Sequence, residues 1–199
     1  MNGKGKEMYF TSKETIQNYT EGCKAKCSMS NGKLINKSIF AGMMIAMGAA
    51  SSNVAAHAIE NVGVARLTAA VVFPVGLMMV ILLGAELFTG DCLMVMALPD
   101  KKISYAQCLK VLVGVYFGNW IGAALLALGI SLCGQLNYSN GLLGAYTIKV
   151  ALGKVNLSFG QALVSGILCN ILVCVAVLMA IAAIVLVGCN QKNSKNESP

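Results

Sequence analysis

Charged residues are scarce in this sequence: 12% of its 199 residues are charged, whereas 57% are hydrophobic. Soluble domains carry about 25% charged residues, so this composition excludes that class. His57 is the only histidine, which excludes a haem anchor built on facing histidine pairs. Because Ser-His-Asp, phosphate-binding and zinc patterns are also missing, we expect no enzyme, no cofactor and no metal site.

Cysteine is present, but its eight copies have no paired spacing of the kind that a metal site or a disulfide framework shows. Cys23 and Cys27 form one local pair, and no second Cys/His pair completes a tetrahedral zinc site. The others fall mostly inside hydrophobic runs, where a thiol behaves as a small apolar side chain. The cysteines therefore predict packing rather than chemistry.

Long hydrophobic runs are what the sequence has instead. A helix that crosses a bilayer needs about 20 mostly apolar residues, and lipid tolerates no unpaired backbone, so such runs must be helical. Four runs meet this requirement, at about 37–59, 64–98, 106–133 and 159–188. The sequence therefore predicts an all-α integral membrane protein. A transmembrane domain over 37–189 would lie between a segment 1–36, which can form an amphipathic interfacial helix, and a polar tail 190–199.

Basic residues are distributed unequally between the two sides of these spans. If the N-terminus is cytoplasmic, all of the 15 lysines and arginines except Arg66, Lys149 and Lys154 lie on the cytoplasmic side. This asymmetry is what the positive-inside rule expects. We therefore predict a multi-pass protein of the inner (cytoplasmic) membrane with a cytoplasmic N-terminus. The net charge of +7 is then explained without a nucleic-acid partner.

The second hydrophobic run is longer than one crossing needs and is interrupted at 84–91 by the sequence GAELFTGD. Its two carboxylates, Glu86 and Asp91, are costly at membrane depth unless they face a cavity or a partner. Irregular backbone at that depth is tolerated where it lines water or lies inside protein. These residues favour a broken helix with a loop at its centre. The alternative is a short connection between two helices, with Asp91 as a helix cap.

Several motifs in this order resemble the formate/nitrite transporter family. They are FPVGL at 73–77, the GAELFTGD loop, Gly118-Asn119 in the third span, Lys154-x-x-Leu-Ser-Phe before the fourth span, and GILCNxLVC at 166–174. The resemblance extends from about residue 10 to residue 183. No single one of these patterns carries it.

The resemblance implies an aquaporin-like helical bundle with an inverted repeat, in which the second and fifth of six spans are broken. It also implies a homopentamer with one pore per protomer, which carries formate, nitrite, hydrosulfide, acetate or lactate, with coupling to proton transfer as a further expectation. Matching positions place Thr89, Lys154 and Asn170 on the substrate pathway. The pore constriction would comprise Phe73, Leu77, Leu87 and Phe88, with Glu86 and Asp91 in the broken-helix loop.

This sequence departs from the family pattern at its C-terminal end. A broken fifth helix with its pore histidine is not found, nor is a sixth span, and His57 does not match the position of that histidine. The sequence is therefore interpreted as a member truncated after the fourth span. An inverted-repeat pore is lined by both halves, so the alternative function is a non-conducting structural or interaction subunit of such a channel.

Overall fold

The computed structural model describes the backbone of residues 12–196 and the side chains of residues 15–183, and that part of the chain is helical, without a β-strand. Eight α-helices follow one another, with 3-10 helices at Cys92–Ala97 and Gln135–Asn137. They are α1 (Ser12–Cys27), α2 (Asn31–Ala56), α3 (Val62–Val72), α4 (Pro74–Leu83), α5 (Phe88–Asp91), α6 (Tyr105–Leu132), α7 (Leu142–Val155) and α8 (Phe159–Asn196).

Four helical segments are long and apolar enough to cross a membrane: Asn31–Ala56, Val62–Leu83, Tyr105–Leu132 and Phe159–Ala183. They overlap the four predicted runs, although the second ends at Leu83 and not at 98. The all-α membrane class is confirmed. α2 begins six residues before the predicted start of the first span and includes Lys33 and Lys37 in its first turns. α8 continues into the polar tail as far as Asn196.

The first and third spans, α2 and α6, form the centre of the molecule. Their backbones approach closely at glycines: a Cβ atom at Gly42 would overlap the Asn119 carbonyl, and one at Gly122 would overlap the Ile39 carbonyl. Small residues permit such approach in lipid, where packing rather than water exclusion holds helices together. The small-residue pattern of these spans therefore fixes which faces meet.

The second span is broken twice. Pro74 occupies the first position of α4, so that α3 ends at Val72 and α4 restarts after Phe73. Farther along, Gly84 ends α4 in the left-handed conformation, with φ of 64°. The chain then runs extended through Leu87 before the short helix α5. A left-handed glycine is a common way to stop a helix, and here it opens the interruption that the sequence predicts.

The segment between the third and fourth spans holds a helix, α7, that is too short to cross a bilayer. The connection between α6 and α7 contacts the end of α2 through His57, whose Nε2 lies 2.8 Å from Ser139 Oγ. The other ring nitrogen, Nδ1, donates to the Val54 carbonyl at 2.7 Å. His57 thus joins two elements at one end of the bundle.

Candidate functional site

The interruption of the second span, residues 84–91, is here called the break loop. Asn119 of α6 satisfies its backbone, since the Asn119 Oδ1 atom accepts from Phe88 N–H at 2.9 Å. The Asn119 Nδ2 group donates to the Glu86 carbonyl at 2.9 Å and to the Ser38 carbonyl at 2.8 Å. An unpaired backbone group inside a membrane protein costs several kcal/mol. One carboxamide therefore permits the loop to stay irregular and joins it to α2 and α6.

Lys26 of α1 lies over the two acids of the break loop. Its Nζ atom is 2.6 Å from Glu86 Oε2 and 2.5 Å from Asp91 Oδ1. Both acids are buried, with 4% and 1% of their surfaces exposed. Lys37 of α2 adds a hydrogen bond to the Gly84 carbonyl at 2.8 Å and lies 3.8 Å from Glu86. Ion pairing thus offsets the cost of burying these carboxylates.

Asp91 does not act as a helix cap. Its side chain makes no capping hydrogen bond at the start of the 3-10 helix Cys92–Ala97, and its carboxylate contacts Lys26 instead. The capping alternative is therefore wrong, because a buried carboxylate is stabilised more by a charged partner than by exposed amides.

Helix α1 is held to the bundle by further polar contacts. The Tyr19 hydroxyl donates to the Gly90 carbonyl at 3.0 Å, and burial raises the pKa of Tyr19 above its usual range. Lys102 pairs with Glu21 at 2.9 Å and lowers the pKa of that carboxyl. The two loop acids raise the pKa of Lys26, although burial alone would lower it. Lys26 is therefore a fixed positive charge at this site.

A cavity of about 330 Å³ opens between α1, α4, the break loop and α8. Its wall is mostly apolar, and Lys26 and Asp91 supply the charges. Two of the predicted constriction residues, Leu77 and Leu87, line it. The cavity is large enough for several waters or a small molecule. It places an apolar wall and a charged group beside the same loop.

The other two predicted constriction residues lie outside this wall. Phe88 is half-buried and packs edge to face on Tyr116 of α6, with ring centroids 5.5 Å apart. Phe73, between α3 and α4, has 43% of its surface exposed. The four residues thus divide into two pairs, and Leu77 and Leu87 form the pair that faces the cavity.

Of the predicted pathway residues, Thr89 lies where the break loop meets α8, and Asn170 lies one helical turn from that contact. The carbonyl of Thr89 accepts a hydrogen bond from the Cys174 thiol of α8 at 3.2 Å. Asn170, one helical turn before Cys174, donates to the Gly166 carbonyl at 3.4 Å. Its Oδ1 atom is buried without a hydrogen-bond partner. Asn170 therefore offers an unused acceptor on the face of α8 that meets the loop.

Lys154, the third predicted pathway residue, is in the last turn of α7 and is exposed. Among the side chains that the structure describes, no hydrogen bond or ion pair joins Lys154 to Thr89 or Asn170. The three residues are thus brought together in part: Thr89 and Asn170 share one contact region, and Lys154 lies apart from it.

Sequence reasoning missed Lys26 as the counter-ion of the loop and Asn119 as the partner of its backbone. Lys26 could have been suspected because two acids inside an apolar run require a cation. The amphipathic segment before the first span contains several lysines that could supply it. The signal for Asn119 was an amide in the middle of a span, where it must find a hydrogen-bond partner.

Comparison with known proteins places this arrangement in a family. The sequence profile described as "Formate/nitrite transporter" matches residues 13–188. The formate channel FocA of Escherichia coli K12 is 38% identical over 118 residues, which are 59% of this chain and 41% of that protein. A probable formate transporter of Methanothermobacter thermautotrophicus is 35% identical over 175 residues and covers 79% of this chain and 64% of that protein. The chain thus spans about two fifths of the length of the Escherichia coli relative.

Solved structures agree with the sequence matches. An "FNT family ion channel" superposes with a TM-score of 0.76 at 26% identity, over 85% of this chain and 68% of that one. A "pentameric formate channel with formate bound" superposes with a TM-score of 0.68 at 29% identity, over 76% of this chain and 60% of that one. Together with the four membrane-capable helices and the break loop, these matches assign this multi-pass membrane protein to the formate/nitrite transporter family.

Proposed function

We propose that this chain is a subunit of a membrane channel for small monovalent anions, with formate, nitrite and hydrosulfide as the candidate substrates. The observation that carries the proposal is the cavity beside the break loop, where Leu77, Leu87 and the charge of Lys26 meet. An irregular loop at the centre of a span is the usual binding site of membrane transporters. Support also comes from relatives that are named as formate channels.

The permeation mechanism follows from the cost of desolvating an anion. The exposed ammonium of Lys154 concentrates anions by its field. The apolar wall at Leu77 and Leu87 opposes a bare charge, because burial of an unpaired ion costs far more than burial of a neutral acid. A weak acid that takes up a proton crosses this wall without that cost. Thr89 and Asn170 would supply hydrogen bonds on the way.

The assembly that we propose is a homopentamer in the inner membrane, with a cytoplasmic N-terminus and an inverted repeat within each pore. Support for assembly comes from large apolar side chains that are exposed on the surface of one chain, such as Trp120 at 66% and Leu172 at 73% exposed. One structural relative is named as pentameric. Support for the orientation is the excess of lysine on the side of α1.

A second candidate function is a non-conducting structural subunit. Every described side chain of α8 from Phe159 to Cys169 is exposed, so the part of the chain that is described leaves one side of the pathway open. A pore built from two half-repeats needs a wall from each half. In this alternative the chain inserts and assembles, yet anions do not cross.

Flux from proteoliposomes containing this chain distinguishes the two functions. Vesicles loaded with formate, nitrite or hydrosulfide are followed by stopped-flow for the parent chain, Thr89→Val and Lys154→Met. We expect the parent to conduct and both variants to slow flux about tenfold or more, the scale of one lost charged or hydrogen-bonding contact. Lys149→Met serves as the matched control, since Lys149 is exposed on the same helix α7.

The outcomes separate cleanly. Equal flux in the parent and in protein-free vesicles, with correct insertion verified by protease protection, would overturn the channel proposal and favour the structural subunit. Flux that survives Thr89→Val and Lys154→Met unchanged would keep the channel and reject these two residues as its pathway.

A further inference from the structure

Glu86 and Asp91 form a pair of buried carboxyl groups at one ammonium. Lys26 Nζ lies 2.6 Å from the first and 2.5 Å from the second, so the two carboxyl groups meet at a single cation. Asp91 Oδ2 is buried and has no hydrogen-bond partner, although only 1% of the residue is exposed. A buried carboxylate oxygen without a donor is costly, and a proton on either carboxyl would supply the missing donor.

Among the side chains that the structure describes, the charges around the pair are few. Lys26 faces it from α1 together with Tyr19, whose hydroxyl donates to Gly90, and with the thiol of Cys23. Lys37 of α2 contributes a second, more distant cation, 3.8 Å from Glu86 and with 35% of its side chain exposed.

Within residues 15–183, the remaining titratable groups near the pair are thiols: Cys92 in the 3-10 helix, Cys108 in α6 and, at Thr89, Cys174 in α8. Thiols are neutral at physiological pH. Two ionised carboxylates therefore have one close ammonium between them, and the second carboxylate depends on a cation that is partly in solvent. Like charges this close cannot both ionise without cost, so one proton is favoured between them.

We propose that Glu86 and Asp91 are a proton-binding site, in which one exchangeable proton is shared by the two carboxyls and its occupancy sets the charge of the break loop. Uptake of the proton makes the wall of the adjoining cavity more positive by one unit. The proton site stands on the geometry alone. Its second consequence, tighter anion binding when the proton is bound, rests on the proposed channel function.

Proton and anion then favour each other by thermodynamic reciprocity. If the proton strengthens anion binding by a given factor, a bound anion strengthens proton binding by the same factor. Such couplings amount to about fivefold to 150-fold in affinity. The pair thus provides a place at the break loop where a proton and a weak-acid anion can be held at neighbouring positions.

The proton is detected directly by infrared difference spectroscopy of the full chain in proteoliposomes, because a protonated carboxyl has a C=O stretch that a carboxylate lacks. A pH titration of the parent is compared with Asp91→Asn, which keeps the shape of the side chain and cannot share an acidic proton. Asp100→Asn is the matched control, since Asp100 is exposed and outside the pair. In the parent, we expect the protonated-carboxyl band to be present at pH values above the range where free carboxyls titrate. The band should be lost in Asp91→Asn and retained in the Asp100→Asn control.

A parent without this band at neutral pH, or a band that persists in Asp91→Asn and in Glu86→Gln, would overturn the proton site. The coupling is tested separately by adding formate and measuring the pH at which the band disappears. We expect formate to move that pH upward in the parent. A band that is present but insensitive to formate, nitrite and hydrosulfide would keep the proton site and count against the anion channel, so the two proposals fail in different ways.

Discussion

Asn119 shows how much of the break loop depends on one side chain. The loop requires an acceptor for the N–H of Phe88 and a donor for the carbonyl of Glu86, and a carboxamide has both. Aspartate would offer the acceptor alone, and leucine would offer neither. Asparagine at this position is therefore required by the hydrogen bonds of the loop, not by helix propensity, in which asparagine ranks low.

Replacement of Asn119 by leucine should destabilise the protein strongly. Three partners lose their hydrogen bond, and an unsatisfied buried group costs about 1–3 kcal/mol, so a loss of about 3 kcal/mol or more is expected. The measurement is unfolding in mixed micelles followed by circular dichroism. Asn53→Leu is the matched control, because Asn53 makes one long bond, at 3.3 Å to Thr147. Similar losses in the two variants would contradict this role of Asn119.

The need of a side chain for a partner was predictable where its position creates a local demand. Leu77 and Leu87 were assigned to a constriction by resemblance; both line the cavity, and their role as a constriction stays a prediction. Glu86 and Asp91 were expected to need a partner because of their depth. That the partner is Lys26 was not predictable, since the contact joins residues 65 positions apart and several other lysines precede the first span.

At the scale of the element, α1 docks both by the polar contacts with the break loop and by packing of Cys23 against Met94, Ala97 and Cys108. Its buried positions include Thr20 and Cys23, at 1% and 0% exposed. An amphipathic interfacial helix was predicted for this region, but amphipathicity indicates only that one face is covered. The sequence pattern is the same whether lipid or protein covers that face. The docking of α1 onto the break loop was therefore visible only in the structure.

Lys26→Met should loosen α1. Removing the cation leaves two buried carboxylates without a close partner, which typically costs about 3–5 kcal/mol. The readout is alkylation of Cys23, whose pKa burial raises to about 11. While α1 is docked, the thiol stays protonated and slow to react below that pH. Undocking should return its pKa toward the ordinary range and speed labelling at pH 8, as measured by peptide mass spectrometry.

Two comparisons make this result specific. Lys24→Met removes an exposed lysine of the same helix and should leave the labelling of Cys23 unchanged. The double variant Lys26→Met/Asp91→Asn removes one of the uncompensated charges and should restore part of the protection. Slow labelling of Cys23 in Lys26→Met would show that the ion pair does not hold α1.

The four spans were predictable as elements because a bilayer imposes length and apolarity on each of them. The break in the second span was predictable from its carboxylates and from Gly84. Helix α7 was not identified: its 14 residues are too few to span, and its sequence gives no strong start signal, with Gly141 in a left-handed conformation before it. Short interfacial helices are set by their neighbours more than by their own pattern.

At the scale of the whole molecule, the single chain leaves wide apolar surfaces uncovered. Lipid can cover such surfaces, and so can other copies, and a closed ring of identical chains is the common solution for homo-oligomers. For the proposed homopentamer, native mass spectrometry from detergent should give a species of five chains. A monomer under mild detergent, with the spans intact, would contradict the pentamer.

The distance along the chain between the break loop and Asn119 also sets an order of events during synthesis. Phe88 and Glu86 leave the ribosome 31 and 33 residues before the amide that completes their hydrogen bonds. Until then the nascent second span carries open backbone groups that lipid does not tolerate. It must therefore wait in a hydrated part of the insertion machinery until the third span arrives, so the two enter the bilayer as a unit.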